Sequence, residues 1–211
     1  SRGVHVTGSD LKWSPGIRQL EAAGASVSLG HAAANLDRPD AVVVSTAIPS
    51  DNPEVVAARA REVPVLARAQ VLAALMRDRR GIAVAGTHGK TTTTSMIAVL
   101  LERKGLDPTY VIGGDLNESG SNARYGEGDL FVAEADEYDR SFLELTPVVA
   151  VVTNIEADHL DTYRDLADIL DSFTIFANRV PFYGAVVACV DDLFFRSKIE
   201  ATARHLNVPL R

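Results

Sequence analysis

The stretch Ile82-Ala83-Val84-Ala85-Gly86-Thr87-His88-Gly89-Lys90-Thr91-Thr92 decides the fold of this chain. Its first four residues are apolar, as is typical of a buried strand, and a helical pattern follows from Lys90 to Lys104. Between them, Gly86 and Gly89 allow backbone N–H groups to point into one concavity, with no side chain in the way. The start of the helix adds the positive end of its dipole. Strand, loop and helix in this order predict an ATP-binding phosphate loop in an α/β domain.

The side chains of this loop suit a nucleotide and a metal ion. Lys90 supplies a point charge for the β- and γ-phosphates, and the hydroxyl of Thr91 is placed to hold Mg²⁺. The motif is shorter than usual, because the common pattern has its first glycine where Val84 stands here. A glycine-rich turn capped by threonines is the purely structural alternative. It leaves the cation of Lys90 opposing the helix dipole, a conflict that a bound polyphosphate removes.

An acidic segment follows a second apolar strand, Leu130–Ala133. In nucleotide-binding sheets the carboxyl ends of parallel strands face the ligand. Carboxylates at that edge can bind Mg²⁺, which prefers oxygen ligands. We therefore predict Glu134 as a metal ligand, whereas Asp136 and Glu137 stay open between a functional role and a solvated loop or helix cap.

A third apolar strand, Val148–Thr153, repeats this arrangement. Asn154 follows the strand directly, and His159 lies a little further on beside Asp158, which is able to orient its ring. A lone histidine is usually a surface residue or a satisfied core residue. The position of His159 on the sheet edge predicted for Lys90 favours a functional role.

The composition is that of an ordinary globular protein. The 211 residues are 46% hydrophobic and 23% charged, which suits one large or two small domains. A formal net charge of −7 argues against a nucleic-acid partner, and no apolar stretch reaches the roughly 18 residues of a membrane helix. The one cysteine, Cys189, lies in the predicted buried strand Ala185–Val190 and fits a reducing compartment. We expect a cytoplasmic protein without a membrane partner, and the sequence leaves its oligomeric state open.

Apolar runs alternate with helical patterns along the chain, which indicates a parallel α/β fold. Upstream of the phosphate loop the patterns predict strands and helices at Val4–Thr7, Ser14 to Gly24, Val27–Leu29, Ala41–Ser45, Asn52 to Arg61, Val63–Leu66 and Ala69–Met76. The helix from Lys90 is expected to turn Met96, Ile97, Leu100 and Leu101 inward, and a further helix runs from Asp165 to about Asn178. The polar cluster Arg77–Gly81 has no apolar periodicity and is predicted to link two domains.

Several segments together resemble the Mur ligases, the ATP-dependent amide-forming enzymes of peptidoglycan synthesis. They run in order over about residues 3–192, and the combination is highly specific although each piece alone is not. The segments are Gly8-Ser9-Asp10, Ser45–Ile48, Asp51–Glu54, Arg68-Ala69-Gln70, Gly81–Thr94, Glu134–Glu137, Thr153–Tyr163 and Pro181–Gly184.

The resemblance implies how the domains are organised. Members of the family have a Rossmann-like domain for the UDP-sugar, a central ATPase domain and a C-terminal domain for the amino acid. Residues 1–79 look like the first domain without its opening glycine-rich strand-turn-helix, and residues 80–211 look like an incomplete central domain. The C-terminal domain is expected to be absent, and 193–211 resembles nothing recognised. The expected fold is therefore α/β, with an incomplete Rossmann-like domain followed by a partial parallel-sheet ATPase domain of the P-loop type.

The resemblance also assigns roles, residue by residue. It implies that Lys90, Glu134 and His159 are catalytic, and that Thr91, Glu134 and His159 hold the metal, Mg²⁺. His88 and Ser45–Ile48 would border the path of the UDP-muramate substrate. The residues implied for binding ATP are Gly86, Thr87, His88, Gly89, Lys90, Thr91, Thr92 and Asn154.

Within the family, the branch that joins L-alanine to UDP-N-acetylmuramate fits best. Asn52-Pro53-Glu54 and Pro181–Gly184 favour it, and the absence of lysine between Lys104 and Lys198 departs from members that use a carbamylated lysine. Glu137-Tyr138-Asp139 also resembles the related ligase that recycles murein tripeptide. A folate-type amide ligase, a P-loop kinase or GTPase, and a non-catalytic nucleotide- or UDP-sugar-binding fragment remain as alternatives, although no Asn-Lys-x-Asp guanine-reading motif occurs.

Overall fold

The computed structural model describes residues 3–113, 122–157 and 162–189, together with Ser197, Glu200 and Ala201. The chain divides into two compact units, Ser1–Val71 and Leu72–Arg211. The domain boundary predicted between residues 79 and 80 stays a prediction. In the described part of the chain, no helix is both long and apolar enough to cross a bilayer.

The first unit pairs its strands two by two. Strand β1 (Thr7–Asp10) lies parallel to β2 (Ser26–Leu29), and β3 (Val42–Val44) lies parallel to β4 (Val65–Ala67). The strand predicted at Val4–Thr7 is wrong in position, because β1 begins and ends three residues later than predicted. The ladder begins only where Thr7 meets Ser26, and the valines upstream of it are more than half exposed.

The helices of the first unit begin as the sequence predicts. Before α1 (Pro15–Ala22) and α2 (Pro53–Ala60), the side chains of Ser14 and Asn52 each accept a backbone N–H of the first turn. A proline at the first helical position follows each cap. A short 3-10 turn, Ala33–Asn35, completes this unit.

The second unit is built on a six-stranded sheet. Helix α3 (Arg68–Arg77) crosses the division between the units, and the described elements after it are β5 (Arg80–Ala85), α4 (Lys90–Arg103), β6 (Thr109–Val111), β7 (Ala123–Arg124), β8 (Leu130–Glu134), a 3-10 turn (Ser141–Glu144), β9 (Val149–Val152), α5 (Leu166–Ala177) and β10 (Ala185–Ala188). Among the described residues the strand order of the sheet is β10-β9-β5-β8-β6-β7, and every pairing is parallel except the short antiparallel one between β6 and β7.

Both faces of this sheet are covered. Successive side chains of a strand point to opposite faces, so that Phe131 and Val132 of β8 belong to separate apolar clusters. The cluster of Phe131 includes side chains of α3 and α5, among them Met76 and Phe173, whereas the cluster of Val132 includes Ala98 of α4. The strand β8 therefore buries apolar side chains on both faces of the sheet.

Two expectations about this unit are wrong. Met96 and Leu100 are 54% and 62% exposed, because α4 packs through the stripe that contains Thr94 and Ala98. Strand β10 lies at the edge of the described sheet and is largely exposed, and Cys189, which follows it, is exposed too. The cluster 77–81 consists of the end of α3, a two-residue turn and the start of β5, and its role as a link between domains stays a prediction.

Candidate phosphate-binding site

Three neighbouring parallel strands end at one edge of the sheet. Val84 of β5 is in register with Glu134 of β8, and Ala85 of β5 is in register with Val152 of β9. The loops that follow these strands therefore leave the sheet side by side. This brings together the residues 86–92, Glu134 and Asn154 that are predicted for ATP and metal, whereas His159 and its neighbour Asp158 lie outside the described residues.

The phosphate loop depends on two glycines in different ways. Gly86 has φ +137°, and a Cβ built there would stand 2.1 Å from the hydroxyl oxygen of Thr153. Gly89 has φ +80° and precedes the first residue of α4, and no atom lies within 4 Å of its hypothetical Cβ. Gly86 is thus needed for close packing against β9, and Gly89 for the left-handed turn into the helix.

Thr153, Asn154 and Glu156, which follow β9, hold this loop by hydrogen bonds, and we call these bonds the clamp. The backbone N–H of Thr87 donates to the carbonyl of Asn154 at 3.2 Å, and the N–H of His88 donates to its side-chain oxygen at 2.8 Å. The hydroxyl of Thr153 donates to the carbonyl of His88 at 2.6 Å, and the N–H of Glu156 donates to the hydroxyl of Thr87 at 2.9 Å. Asn154, which we expected near the nucleotide, therefore contacts the loop directly.

Some backbone N–H groups of the loop bond within the protein, and the others are available to bind a ligand. The N–H groups of Thr87 and His88 are used within the protein, and Thr93 makes the first intrahelical bond, to the carbonyl of Gly89. Within the described residues, the N–H groups of residues 89–92 have no acceptor. These four donors surround the start of α4, where the helix dipole also favours an anion.

Lys90 begins α4 and folds back over the loop. Its Nζ lies 2.7 Å from the carbonyl oxygen of Gly86, 3.4 Å from that of Thr87 and 3.0 Å from Oε1 of Glu137. The side chains of Lys90 and Glu137 are 14% and 3% exposed, so that this ion pair is buried. The reading of Glu137 as a solvated loop residue is wrong.

The sequence alone leaves the role of Glu137 open, because an acid in a polar loop resembles its solvated neighbours. Asp136 is such a neighbour, since it is exposed and its carboxylate accepts the N–H of Tyr138. The one sequence signal for a buried acid is indirect. A lysine that is buried in the loop after a strand needs a counter-ion nearby.

Thr91 and Glu134 form a pair of oxygen donors beside the loop. The hydroxyl of Thr91 donates to Oε1 of Glu134 at 3.0 Å, and the N–H of Gly113 donates to Oε2 at 2.7 Å. Two ligands at right angles around Mg²⁺, each about 2.1 Å from it, are separated by about 3 Å. The spacing and chemistry of these two oxygens therefore fit the ion.

Among the described residues, no three His, Cys, Asp or Glu side chains converge on one point. Mg²⁺ does not need such a cage, because it is commonly held by one or two protein groups together with phosphates and water.

The first unit holds a separate polar cluster around Glu54. Its carboxylate accepts from the hydroxyl of Ser9 at 2.7 Å, the amide of Asn35 at 2.6 Å and the N–H of Ala32 at 3.2 Å, and the oxygen of Ser9 lies 2.8 Å from Nδ1 of His31. Two segments singled out in the sequence, 8–10 and 52–54, thus meet in the structure. Ser45–Ile48 form a turn after β3, closed by a bond from the N–H of Ile48 to the carbonyl of Ser45.

Comparison with known families matches nearly the whole chain. Residues 1–80 match the family described as Mur ligase family, catalytic domain, and residues 84–208 match the Mur ligase middle domain. The UDP-N-acetylmuramate–L-alanine ligase of Azoarcus sp. strain BH72 is 59% identical over 196 residues, or 92% of this chain. That of Dechloromonas aromatica is 58% identical over 192 residues, or 90% of this chain. The chain spans 42% of the length of each of these relatives.

Solved structures show the same similarity. The UDP-N-acetylmuramate:L-alanyl-γ-D-glutamyl-meso-diaminopimelate ligase of Neisseria meningitides superposes with a TM-score of 0.84 at 33% identity, covering 95% of this chain and 68% of that one. The UDP-N-acetylmuramate–alanine ligase of Thermotoga maritima superposes with a TM-score of 0.76 at 32% identity, covering 87% and 43%.

Proposed function

This chain belongs to the Mur ligase family, and we propose that it carries the ATP site of a ligase that joins L-alanine to the carboxylate of UDP-N-acetylmuramate. The reaction belongs to peptidoglycan synthesis in the cytoplasm. The observation that carries the proposal is the loop 86–92, in which four backbone N–H donors, Lys90 and the Thr91–Glu134 oxygen pair meet at one sheet edge. The high identity to alanine-adding relatives supports the choice of substrate.

The chemistry proceeds in two steps through an acyl phosphate. An oxygen of the muramate carboxylate attacks the γ-phosphorus of ATP in line, and the bond to the bridging oxygen breaks as ADP leaves. The amine of L-alanine then attacks the acyl carbon, phosphate leaves with the electron pair of the broken C–O bond, and the amine proton passes to solvent. In the first step the protein positions the groups and neutralises charge rather than forming covalent bonds.

The side chains and backbone amides of the loop would position the substrates in different ways. Lys90 and the amides of residues 89–92 hold the β- and γ-phosphates, and the clamp from Thr153 and Asn154 keeps the loop in shape. Thr91 and Glu134 would hold Mg²⁺, with His159 as the further ligand that the family resemblance implies. Bound Mg²⁺ would offset the negative charge of the phosphates.

The test compares two lysines at opposite ends of α4. In the intact protein, release of phosphate from ATP should require both UDP-N-acetylmuramate and L-alanine. Lys90→Ala should lower the rate by roughly 10²–10³-fold, the usual cost of one preorganised electrostatic contact. Lys104→Ala removes the same charge beyond the other end of the helix and should leave the rate within about twofold of the unmodified enzyme. Near-normal turnover by Lys90→Ala would sink the assignment.

A second candidate is the ligase that attaches the tripeptide L-alanyl-γ-D-glutamyl-meso-diaminopimelate. The TM-score of 0.84 to such an enzyme favours it, as does the Glu137-Tyr138-Asp139 sequence. Competition between L-alanine and the tripeptide for UDP-N-acetylmuramate separates the two, and we expect L-alanine to be incorporated. A phosphorylated product that persists without any amine would instead indicate a kinase.

A further inference from the structure

The ion pair of Lys90 with Glu137 raises a question about how this lysine reaches a nucleotide. A lysine ammonium has three protons, and here its nitrogen faces three acceptors: two loop carbonyls and Oε1 of Glu137. A phosphate oxygen can be reached only if one of these contacts is given up. The three contacts differ in strength, and this difference indicates which contact Lys90 exchanges for a phosphate oxygen.

The contact with the carbonyl of Thr87 is the weakest. At 3.4 Å it is long for a hydrogen bond, whereas the contacts with Gly86 and Glu137 measure 2.7 and 3.0 Å. Separating Lys90 from Glu137 is the costly exchange, because it leaves a carboxylate that is 3% exposed without its counter-ion. Lys90 is therefore expected to release Thr87 and to keep Glu137.

Glu137 is itself held rigidly. Its backbone carbonyl accepts the phenol of Tyr163 at 2.6 Å and the N–H of Arg140 at 3.0 Å. The Arg140 guanidinium lies over the Tyr163 ring at 4.7 Å and pairs with Asp168 of α5 at 2.6 Å. Burial raises the pKa of Tyr163 to about 12, so that the phenol remains a donor throughout the neutral range. Glu137 is thus anchored to α5 and presents a fixed acceptor to Lys90.

We propose that Glu137 is a positioning residue, which keeps its ion pair with Lys90 while nucleotide is bound and thereby aims the lysine at the β- and γ-phosphates. This inference rests on the proposed function only in taking the loop 86–92 as the ATP site. Glu137 acts through Lys90 and does not itself touch the nucleotide. Its loss should therefore affect only those nucleotides that carry a phosphate within reach of the lysine.

The experiment measures nucleotide affinity in a double-mutant cycle. Calorimetric titrations of the intact protein with ADP, AMP and a non-hydrolysable ATP analogue, all with Mg²⁺, compare the unmodified protein, Glu137→Gln, Lys90→Met and the double variant. Glu137→Gln should weaken binding of ADP and the ATP analogue about tenfold, the scale of one charge-assisted hydrogen bond, and leave AMP within about twofold. In the Lys90→Met background, Glu137→Gln should change no affinity by more than about twofold.

Two further variants distinguish the loss of the ion pair from a general loss of folding. Tyr163→Phe removes the phenol that fixes the Glu137 backbone and leaves the ion pair in place, so it should give a smaller loss with the same dependence on phosphate number. Glu144→Gln removes an exposed charge of the same segment and should leave all affinities unchanged.

The contrary results are distinct. Tighter binding of the ATP analogue by Glu137→Gln, an equal loss for AMP, or an equal loss in the Lys90→Met background would overturn the inference. Unmodified protein that binds no nucleotide would overturn it together with the loop assignment. Nucleotide binding without any joining of L-alanine would overturn the proposed reaction and leave the role of Glu137 standing.

Discussion

At the scale of single residues, the two glycines of the phosphate loop make unequal demands. A methyl group at Gly86 would collide with Thr153 and with the backbone of Asn154, at 2.1 and 2.9 Å, whereas one at Gly89 meets only open space. Gly89→Ala should therefore cost about 1–2 kcal/mol of unfolding free energy, the usual penalty for a left-handed alanine. Gly86→Ala should cost more, because β9 or the loop has to move.

Urea unfolding of both variants measures this difference. Equal losses for Gly86→Ala and Gly89→Ala would contradict the close packing of the loop against β9.

The sequence predicts which residues lie at this sheet edge, but it does not predict that Glu137 is buried. Lys90, Thr91 and Glu134 follow from the order of strand, glycine loop and helix, because that order fixes where strand ends point. The burial of Glu137 does not follow from local sequence. It depends on a loop that folds back over Lys90 and on Tyr163, which lies 26 residues further along the chain.

At the scale of elements, the clamp from β9 connects the loop to the sheet. The Thr153 hydroxyl donates to the carbonyl of His88 at 2.6 Å. Thr153→Val keeps the shape of the side chain and removes this donor, so it should lower the unfolding free energy by about 1 kcal/mol. Because the loop amides lose their fixed arrangement, ADP affinity should fall as well.

Thr174→Val is the matched control for the clamp. The hydroxyl of Thr174 bonds only to the carbonyl of Leu170 in its own helix among the described residues, so ADP affinity should stay unchanged. Calorimetric titration of both variants provides the measurement, and an unchanged affinity for Thr153→Val would rule out a clamp that matters for binding.

Elements with explicit end signals were predicted well. Helices α1, α2 and α5 directly follow Ser14, Asn52 and Asp165, each of which caps its helix with its own side chain. Strands β6 and β7 have only three and two residues and carry no pattern long enough to detect. The prediction of which residues of α4 face inward is half wrong, because apolar residues occur on more than one side of the helix.

At the scale of the whole molecule, acid stability depends in part on Asp168. The backbone N–H of Arg164 and the guanidinium of Arg140 lower the pKa of this carboxyl from its usual value of 3.8. A lowered folded-state pKa contributes stability that is present above the unfolded-state pKa and is lost as the pH falls through the folded-state value. The unfolding free energy should therefore fall below about pH 4.

Denaturant unfolding between pH 2 and 7 tests this prediction. Asp168→Asn should be less stable at neutral pH and show a shallower decline on acidification, whereas Asp129→Asn, at an exposed position before β8, should follow the unmodified protein. Parallel pH curves for Asp168→Asn and the unmodified protein would exclude this contribution.

The α/β class, the sheet and the family follow from the sequence, whereas the packing of α3 does not. Ala73 and Met76 of α3 lie in the core of the second unit. Gly81 lies so close to Met76 that an added Cβ would be 2.5 Å from its side chain. The apolar pattern of α3 shows that the helix is buried, and only the fold shows against which strands.

We propose that the loop 86–92 serves a ligase that activates a carboxylate as an acyl phosphate. The direct measurement uses UDP-N-acetylmuramate labelled with oxygen-18 in its carboxylate, in a reaction of the intact protein with ATP and L-alanine. The released phosphate should carry one oxygen-18 atom, and the new amide should retain the other. Unlabelled phosphate, or release of AMP and pyrophosphate, would contradict this proposal.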